Sequence, residues 1–266
     1  MTRIAVVGAG TIGEALLTRF TVAGHRPVDL AFVPRKPRSA HRITRQLGIA
    51  AVDLVTAAAF DVVILAVKPQ DSPSVLSELS PLLHPSTVVV SLCAGISTAT
   101  VEMALPAGTP VVRAMPNTPL VIGEAITVLS PGAHISEDHL NTVQTIMAAG
   151  GKTLVLSESH QNAVTAISGS GPAYFFYLVS ILVEGAISLG LSRDIATELV
   201  VQTAYGASAL LRHTGQDATA LCADVTSAGG TTSAALSELD KHHVPAIVFA
   251  AVHAANDRSA RIAGED

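Results

Sequence analysis

Two short glycine-rich stretches, one near each end of the chain, have residue types that could do chemistry: GAGTIG at 8–13 and SAGGTT at 227–232. Glycine lets backbone amides approach a ligand closely, and the start of a helix attracts anions, so each stretch is a candidate anion cradle. In the first, Gly8, Gly10 and Gly13 fall in GxGxxG register, with Ala9, Thr11 and Ile12 between them. The apolar run RIAVV precedes it and the helical pattern EALLTRF follows. A strand before and a helix after are the context of a dinucleotide-binding turn. In such a turn Gly8 permits the tight bend, Gly10 the approach of a pyrophosphate, and Gly13 close packing of helix on strand. An ordinary tight strand-to-helix turn is the alternative.

The kind of dinucleotide is read from the end of the next strand. An NAD site places an acid there, about 20 residues beyond the glycines, for the ribose 2′-hydroxyl. No Asp or Glu occurs between Asp29 and Asp53; PRKPRSAHR follows the second apolar run instead. Its cations Arg35, Lys36 and Arg38 suit a 2′-phosphate. NADPH is therefore favoured, with NADH as second choice and a merely solvated basic loop as the alternative. Two further turns fall at the carboxyl ends of predicted strands, where ligands of open α/β sheets lie. One is Ala66, Val67, Lys68 and Pro69; the other is Cys93, Ala94 and Gly95. Lys68 reads as a structural or cofactor-edge residue at least as readily as a catalytic base.

The second cradle, DVTSAGGTT, opens a predicted helix, and its amides from Gly229 to Thr232 suit a carboxylate without help from lysine or arginine. A plain capping turn is the alternative there. Ser168 and Ser170 of SGSGPAY likewise divide between capping a helix and serving a site. Ten histidines include no HExxH spacing, and the two cysteines, Cys93 and Cys222, lack CxxC spacing. No metal site is expected, and both thiols read as reduced.

The elements that must position these residues change character part-way along the chain. Through about residue 158, apolar runs at 3–7, 28–33, 61–67, 87–92, 110–115, 125–129 and 152–156 are separated, early on, by helix-length segments. That is the signature of a doubly wound, mainly parallel sheet of Rossmann type with a less regular far edge. From 159 to 266 long helical patterns take over, near 172–189, 193–212, 218, 231 and 245–262. Several are apolar nearly all round, which about 110 residues of helices cannot bury by themselves. With 49% hydrophobic and 14% charged residues, the helical half is expected to be a dimer interface. The most apolar run, Ala173–Gly190, barely reaches bilayer length and contains Glu184, so no membrane span is expected. No charged-then-apolar leader opens the chain, so a cytoplasmic protein is expected. A net charge of −5 without a long basic run argues against nucleic acid as the partner.

In order along the chain, GAGTIG, AVKPQ, SLCAGIS, RAMPNTP, ISGSGPAY, GLSRDIA and DVTSAGGTT resemble the pyrroline-5-carboxylate reductase family. RAMPNTP, SGSGPAY and SAGGTT are the specific parts, and the likeness runs from Ile4 to about Arg261. The resemblance implies NAD(P)H-dependent reduction of the cyclic imine L-1-pyrroline-5-carboxylate to L-proline. It places the cofactor on Gly8–Gly13, Ala66–Pro69 and Cys93–Gly95. It places the substrate carboxylate on Ser227, Gly229, Gly230, Thr231 and Thr232, with the Thr232 hydroxyl facing the ring nitrogen as the catalytic contact. It also implies an interlocked homodimer, in which one subunit's substrate turn meets its partner's cofactor, and a decamer of five dimers. Three departures bear on the substrate: Ala228 where the family usually has proline, Ser180 and Glu184 where glutamate and aspartate are common, and KHHVP in place of a glycine-aromatic break. A substituted pyrroline carboxylate, or a non-catalytic NADPH-binding role, are the alternatives. A β-hydroxyacid dehydrogenase needs a lysine in the helical half, and none lies between Lys152 and Lys241.

Overall fold

Apolar runs without alternation form strands that are covered on both faces. The computed structural model describes residues 2–35 and 37–264, without the side chains of 37–39. Its strands are β1 (Ile4–Val7), β2 (Leu30–Val33), β3 (Ala50–Ala51), β4 (Val62–Leu65), β5 (Val88–Ser91), β6 (Val111–Met115), β7 (Ala125–Pro131) and β8 (Gly151–Val155). They make one sheet in the order β3-β2-β1-β4-β5-β6-β7-β8. β1, β4 and β5 are buried along their whole length. Within β4, Val62 and Ile64 pack into the core cluster holding Phe20 and Phe32, while Val63 and Leu65 pack into the one holding Leu76 and Leu79. Successive side chains thus enter opposite cores, which removes the polar alternation.

Pairing is parallel from β3 across to β6, β7 runs antiparallel to β6, and β8 returns parallel to β7. The less regular edge expected from the sequence is this reversal. β3 was not expected: its two residues give no periodicity to read. The strand order turns back between β1 and β4, and that reversal opens a crevice at the carboxyl ends of the strands.

The helices of this part are α1 (Thr11–Val22), α2 (Pro37–Leu47), α3 (Leu54–Ala58), α4 (Ser72–Leu79), α5 (Thr98–Ala104), α6 (Glu137–Met147) and α7 (Gln161–Val164). Beyond them come α8 (Gly171–Ser188), α9 (Arg193–Thr214), α10 (Ala218–Asp224), α11 (Thr231–Lys241) and α12 (Val244–Ala263). Contacts divide the chain into two compact units, 1–170 with 255–266, and 171–254. The change in composition at 158 precedes the first of these limits because the one-turn helix at Glu158–His160 and α7 pack back on the sheet.

Between α7 and α8, residues Thr165–Gly169 form a turn of π-helix, with the Ser170 N–H donating to the Thr165 carbonyl at 2.8 Å. A Cβ on Gly169 would lie 2.8 Å from Met115 Cε, so glycine lets this turn approach the end of β6. Just upstream, Arg113, only 4% exposed, donates to Glu158 at 2.6 Å, and Gln161 donates to Ser130 at 2.7 Å. These bonds fix the one-turn helix and α7 onto β6 and β7.

Candidate active site

Five helix starts among the described residues are closed by a side chain. Asp53, Ser97, Ser136, Ser192 and Asp217 each accept a backbone N–H in the first turn of their helix. α1 and α11 begin instead on Gly10 and Gly230, with no side-chain cap. Their first-turn amides stay available to an anion. These are the two cradles marked out by the sequence.

At the first cradle the three glycines have three different surroundings. Gly8 has φ +92°, and a Cβ there would lie 2.6 Å from Val67 Cγ1 and 2.9 Å from the Ala66 carbonyl oxygen. Gly13 packs inward, since its Cβ would sit 2.6 Å from the Gly8 carbonyl oxygen and 3.2 Å from Val6 Cγ1. A Cβ on Gly10 would meet nothing within 4 Å; it would only occupy the space in front of the loop. Gly8, Gly10, Thr11, Ile12, Arg35, Ala66, Val67 and Lys68 all line a hollow of about 520 Å³, joined by Val7, Val33, Pro34, Asp71 and Val75. That volume lies in the range of small-molecule sites, and the hollow sits at the reversal between β1 and β4.

Not every expected residue lines that hollow. Ala9 borders a neighbouring depression with Glu14 and Arg42, whose side chains pair. Pro69 starts a one-turn helix, Pro69–Asp71. Cys93, Ala94 and Gly95 follow β5, one strand further along, where Cys93 Sγ lies 3.6 Å from the Val67 carbonyl oxygen. Burial raises the Cys93 thiol above its ordinary value, against a smaller lowering by Ser91, so it stays protonated at neutral pH. Gly95, at φ +75°, lies under the end of α12, where its Cβ would be 2.6 Å from Ile262 Cγ2. Lys36 lies outside the described residues. Another hollow of about 530 Å³, lined by His25, Asp138 and Thr145 among others, is on α1 and α6 and contains none of the predicted residues.

At the second cradle, the Gly230 N–H donates to the Ser227 carbonyl at 3.0 Å, which folds the turn tightly. Gly229 has φ +71°, and a Cβ on Gly230 would be 2.4 Å from Ser227 Oγ. The Thr226 hydroxyl is used inside the chain, donating to the Cys222 carbonyl at 2.6 Å. Thr231 is exposed and Thr232 half-buried, in the first turn of α11. This turn lies in the unit 171–254, and the hollow at the first cradle in the other.

Residues 158–262 match the family model for pyrroline-5-carboxylate reductase dimerisation, and residues 3–95 match that for NADP oxidoreductase, coenzyme F420-dependent. The pyrroline-5-carboxylate reductase of Mycobacterium leprae is 40% identical over 98% of this chain and 97% of its own length. The chain belongs to the pyrroline-5-carboxylate reductase family. Among the family's solved structures, that from Coxiella burnetii superposes with a TM-score of 0.93 at 31% identity, covering 98% of both chains. The Plasmodium falciparum pyrroline carboxylate reductase with NADP bound gives 0.88 at 26% identity, again over 98% of each. The helical half is thus a dimerisation domain, and the apolar faces of α8 have a reason to be uncovered in a single chain.

Sequence reasoning did not foresee two features near the site. One is the π-helical turn inside SGSGPAY; such turns often mark functional positions in helices. Glycines within an otherwise helical pattern were its only signal. The other is Asp71, which shares the hollow with Arg35.

Proposed function

We propose that this protein reduces L-1-pyrroline-5-carboxylate to L-proline with NADPH, by residues 1–158 binding the cofactor and 159–266 binding the substrate. The observation that carries the reading is the pair of uncapped glycine helix starts, at Gly10 and Gly230, in a chain 40% identical to a pyrroline-5-carboxylate reductase over nearly its full length. The first cradle fits a dinucleotide: the open space over Gly10 admits a pyrophosphate where a side chain would fill it, and Arg35 lies at the end of β2. When bound, the nicotinamide supplies hydride.

This chain's own contribution is positioning. The amides of Gly229, Thr231 and Thr232, with the Ser227 hydroxyl, hold the substrate carboxylate at the positive end of α11, while the Gly230 N–H is engaged by the Ser227 carbonyl and gives the turn its shape. The Thr232 hydroxyl hydrogen-bonds the ring nitrogen and so fixes which ring carbon faces the cofactor. Cys93, Ala94 and Gly95, like Ala66 to Pro69, meet the cofactor through backbone; the Cys93 thiol, protonated, takes no part. The enzyme works in the cytoplasm as a homodimer, with five dimers forming a decamer. Ala228, in place of the usual proline, is the observation that favours a second reading, in which the natural substrate is a substituted pyrroline carboxylate.

Following NADPH absorbance with racemic pyrroline-5-carboxylate and with alkylated pyrrolines tests both readings. Turnover of pyrroline-5-carboxylate at the higher kcat/KM supports the first, and of an alkylated imine the second; no turnover of any cyclic imine overturns the enzyme assignment. Thr232→Ala is expected to lower kcat/KM about tenfold, the worth of one hydrogen bond to a polar substrate atom, with NADPH affinity unchanged. Equal loss of both would make Thr232 a structural residue.

A further inference from the structure

The Arg35 guanidinium does not stand alone at the end of the hollow. Its Nη2 lies 3.6 Å from Oδ2 of Asp71, and both side chains are about half exposed. Arg35 follows β2, and Asp71 ends the one-turn helix that follows β4. β2 and β4 are the two neighbours of β1, so the pair spans the carboxyl end of β1, above the glycine turn. Both residues line the hollow, together with Gly10 and Lys68.

A single long contact between half-exposed groups does little to orient a guanidinium. Its consequence is electrostatic: the carboxylate cancels part of the positive charge that the hollow offers to an entering anion. A 2′-phosphate carries nearly two negative charges at neutral pH, whereas a 2′-hydroxyl carries none. A carboxylate at this point therefore opposes the phosphorylated dinucleotide and is almost indifferent to the other.

We propose that Asp71 is a cofactor-specificity residue, which restrains the preference for NADPH over NADH by setting a carboxylate beside the arginine that meets the 2′-phosphate. The proposal rests on the NADPH reading above and deepens it. It assigns the chain a mixed-charge end to its cofactor site, in which Arg35 attracts the 2′-phosphate and Asp71 limits how strongly. The restraint is screened by salt, because both groups are open to solvent.

The test uses the intact oligomer and two fragments that differ only in the phosphate, 2′,5′-ADP and 5′-AMP, with affinity measured by titration calorimetry. Asp71→Asn is expected to tighten 2′,5′-ADP by roughly 3–10-fold at low salt, as removal of one nearby like charge implies. It should leave 5′-AMP within about twofold, and the gain should shrink at high salt. The ratio of kcat/KM for NADPH over NADH should rise in step. An unchanged ratio of the two affinities, or weaker 2′,5′-ADP binding, would overturn the role of Asp71. Arg35→Gln separates the premise from the proposal. If it leaves 2′,5′-ADP binding intact, the phosphate end has been misplaced and both readings fall. If it abolishes the phosphate's advantage while Asp71→Asn changes nothing, only the Asp71 assignment falls.

Discussion

At the scale of single residues, the three glycines of the first cradle differ in a way that mutation can separate. Gly8 is held at φ +92° against backbone, so Gly8→Ala forces either an unfavourable dihedral or a shift of the Ala66 carbonyl. A strained position of this kind costs about 1–3 kcal/mol, visible as a lower melting temperature without any ligand. Gly10 has φ −85° and open space beside it. Gly10→Ala is therefore expected to change stability by no more than about 0.5 kcal/mol, yet to raise the KM for NADPH at least about tenfold by placing a methyl group where the pyrophosphate approaches. Equal destabilisation by the two substitutions would show that Gly10 serves the turn and not the ligand. The spacing of these glycines made the bend at Gly8 and the close packing at Gly13 legible from sequence, because both are set by local backbone geometry. Asp71 was not legible: its meeting with Arg35 depends on β2 and β4 flanking β1, which no local pattern records.

At the scale of elements, the helix starts differ in what closes them. Five that begin a helix away from the two glycine turns carry Asp or Ser caps, and two of these caps make a test by pH. The Asp53 carboxylate is held below its ordinary value by hydrogen bonds from Thr56, and that of Asp217 by hydrogen bonds from Thr219 and Ala220. A carboxylate whose folded pKa is depressed adds stability above its unfolded pKa and loses it as pH falls through the folded value. Asp53→Ala is expected to lower the melting temperature at pH 7, and that penalty should shrink as pH falls through the depressed folded value of the carboxyl. A penalty that persists undiminished in acid would mean that the cap acts through shape and not charge. The helices themselves were readable from sequence, with α8, α9 and α11 beginning where Pro172, Arg193 and Thr231 suggested. The π-helical turn at 165–169 was not. An extra residue in a helical turn is accommodated by what packs on it, here Met115 against Gly169, and leaves no period of its own in the sequence.

At the scale of the whole molecule, the helical half exposes more apolar surface than one chain can leave in water. Phe175, Phe176 and Tyr177 are each at least 64% exposed, and the helical stretch Glu158–Ser188 is by length and composition apolar enough to cross a bilayer. The match to a dimerisation model over 158–262 supplies the cover, and the excess of apolar over charged residues was already the sequence's sign of it. What composition does not record is whether each active site belongs to one chain or two. If one subunit's SAGGTT turn serves its partner's cofactor, two disabled chains should complement each other. Gly10→Glu puts a carboxylate into the pyrophosphate space, and Thr232→Glu puts one beside the substrate carboxylate, so each variant alone is expected to be inactive. Mixed at equal amounts, dissociated and reassembled, half the dimers are hybrids, and each hybrid joins one intact cofactor loop to one intact substrate turn. Restored activity of about one quarter of wild type is then expected for a two-fold symmetric dimer. Sites built within single chains would give no intact site in any hybrid, and the mixture would stay as inactive as its parts.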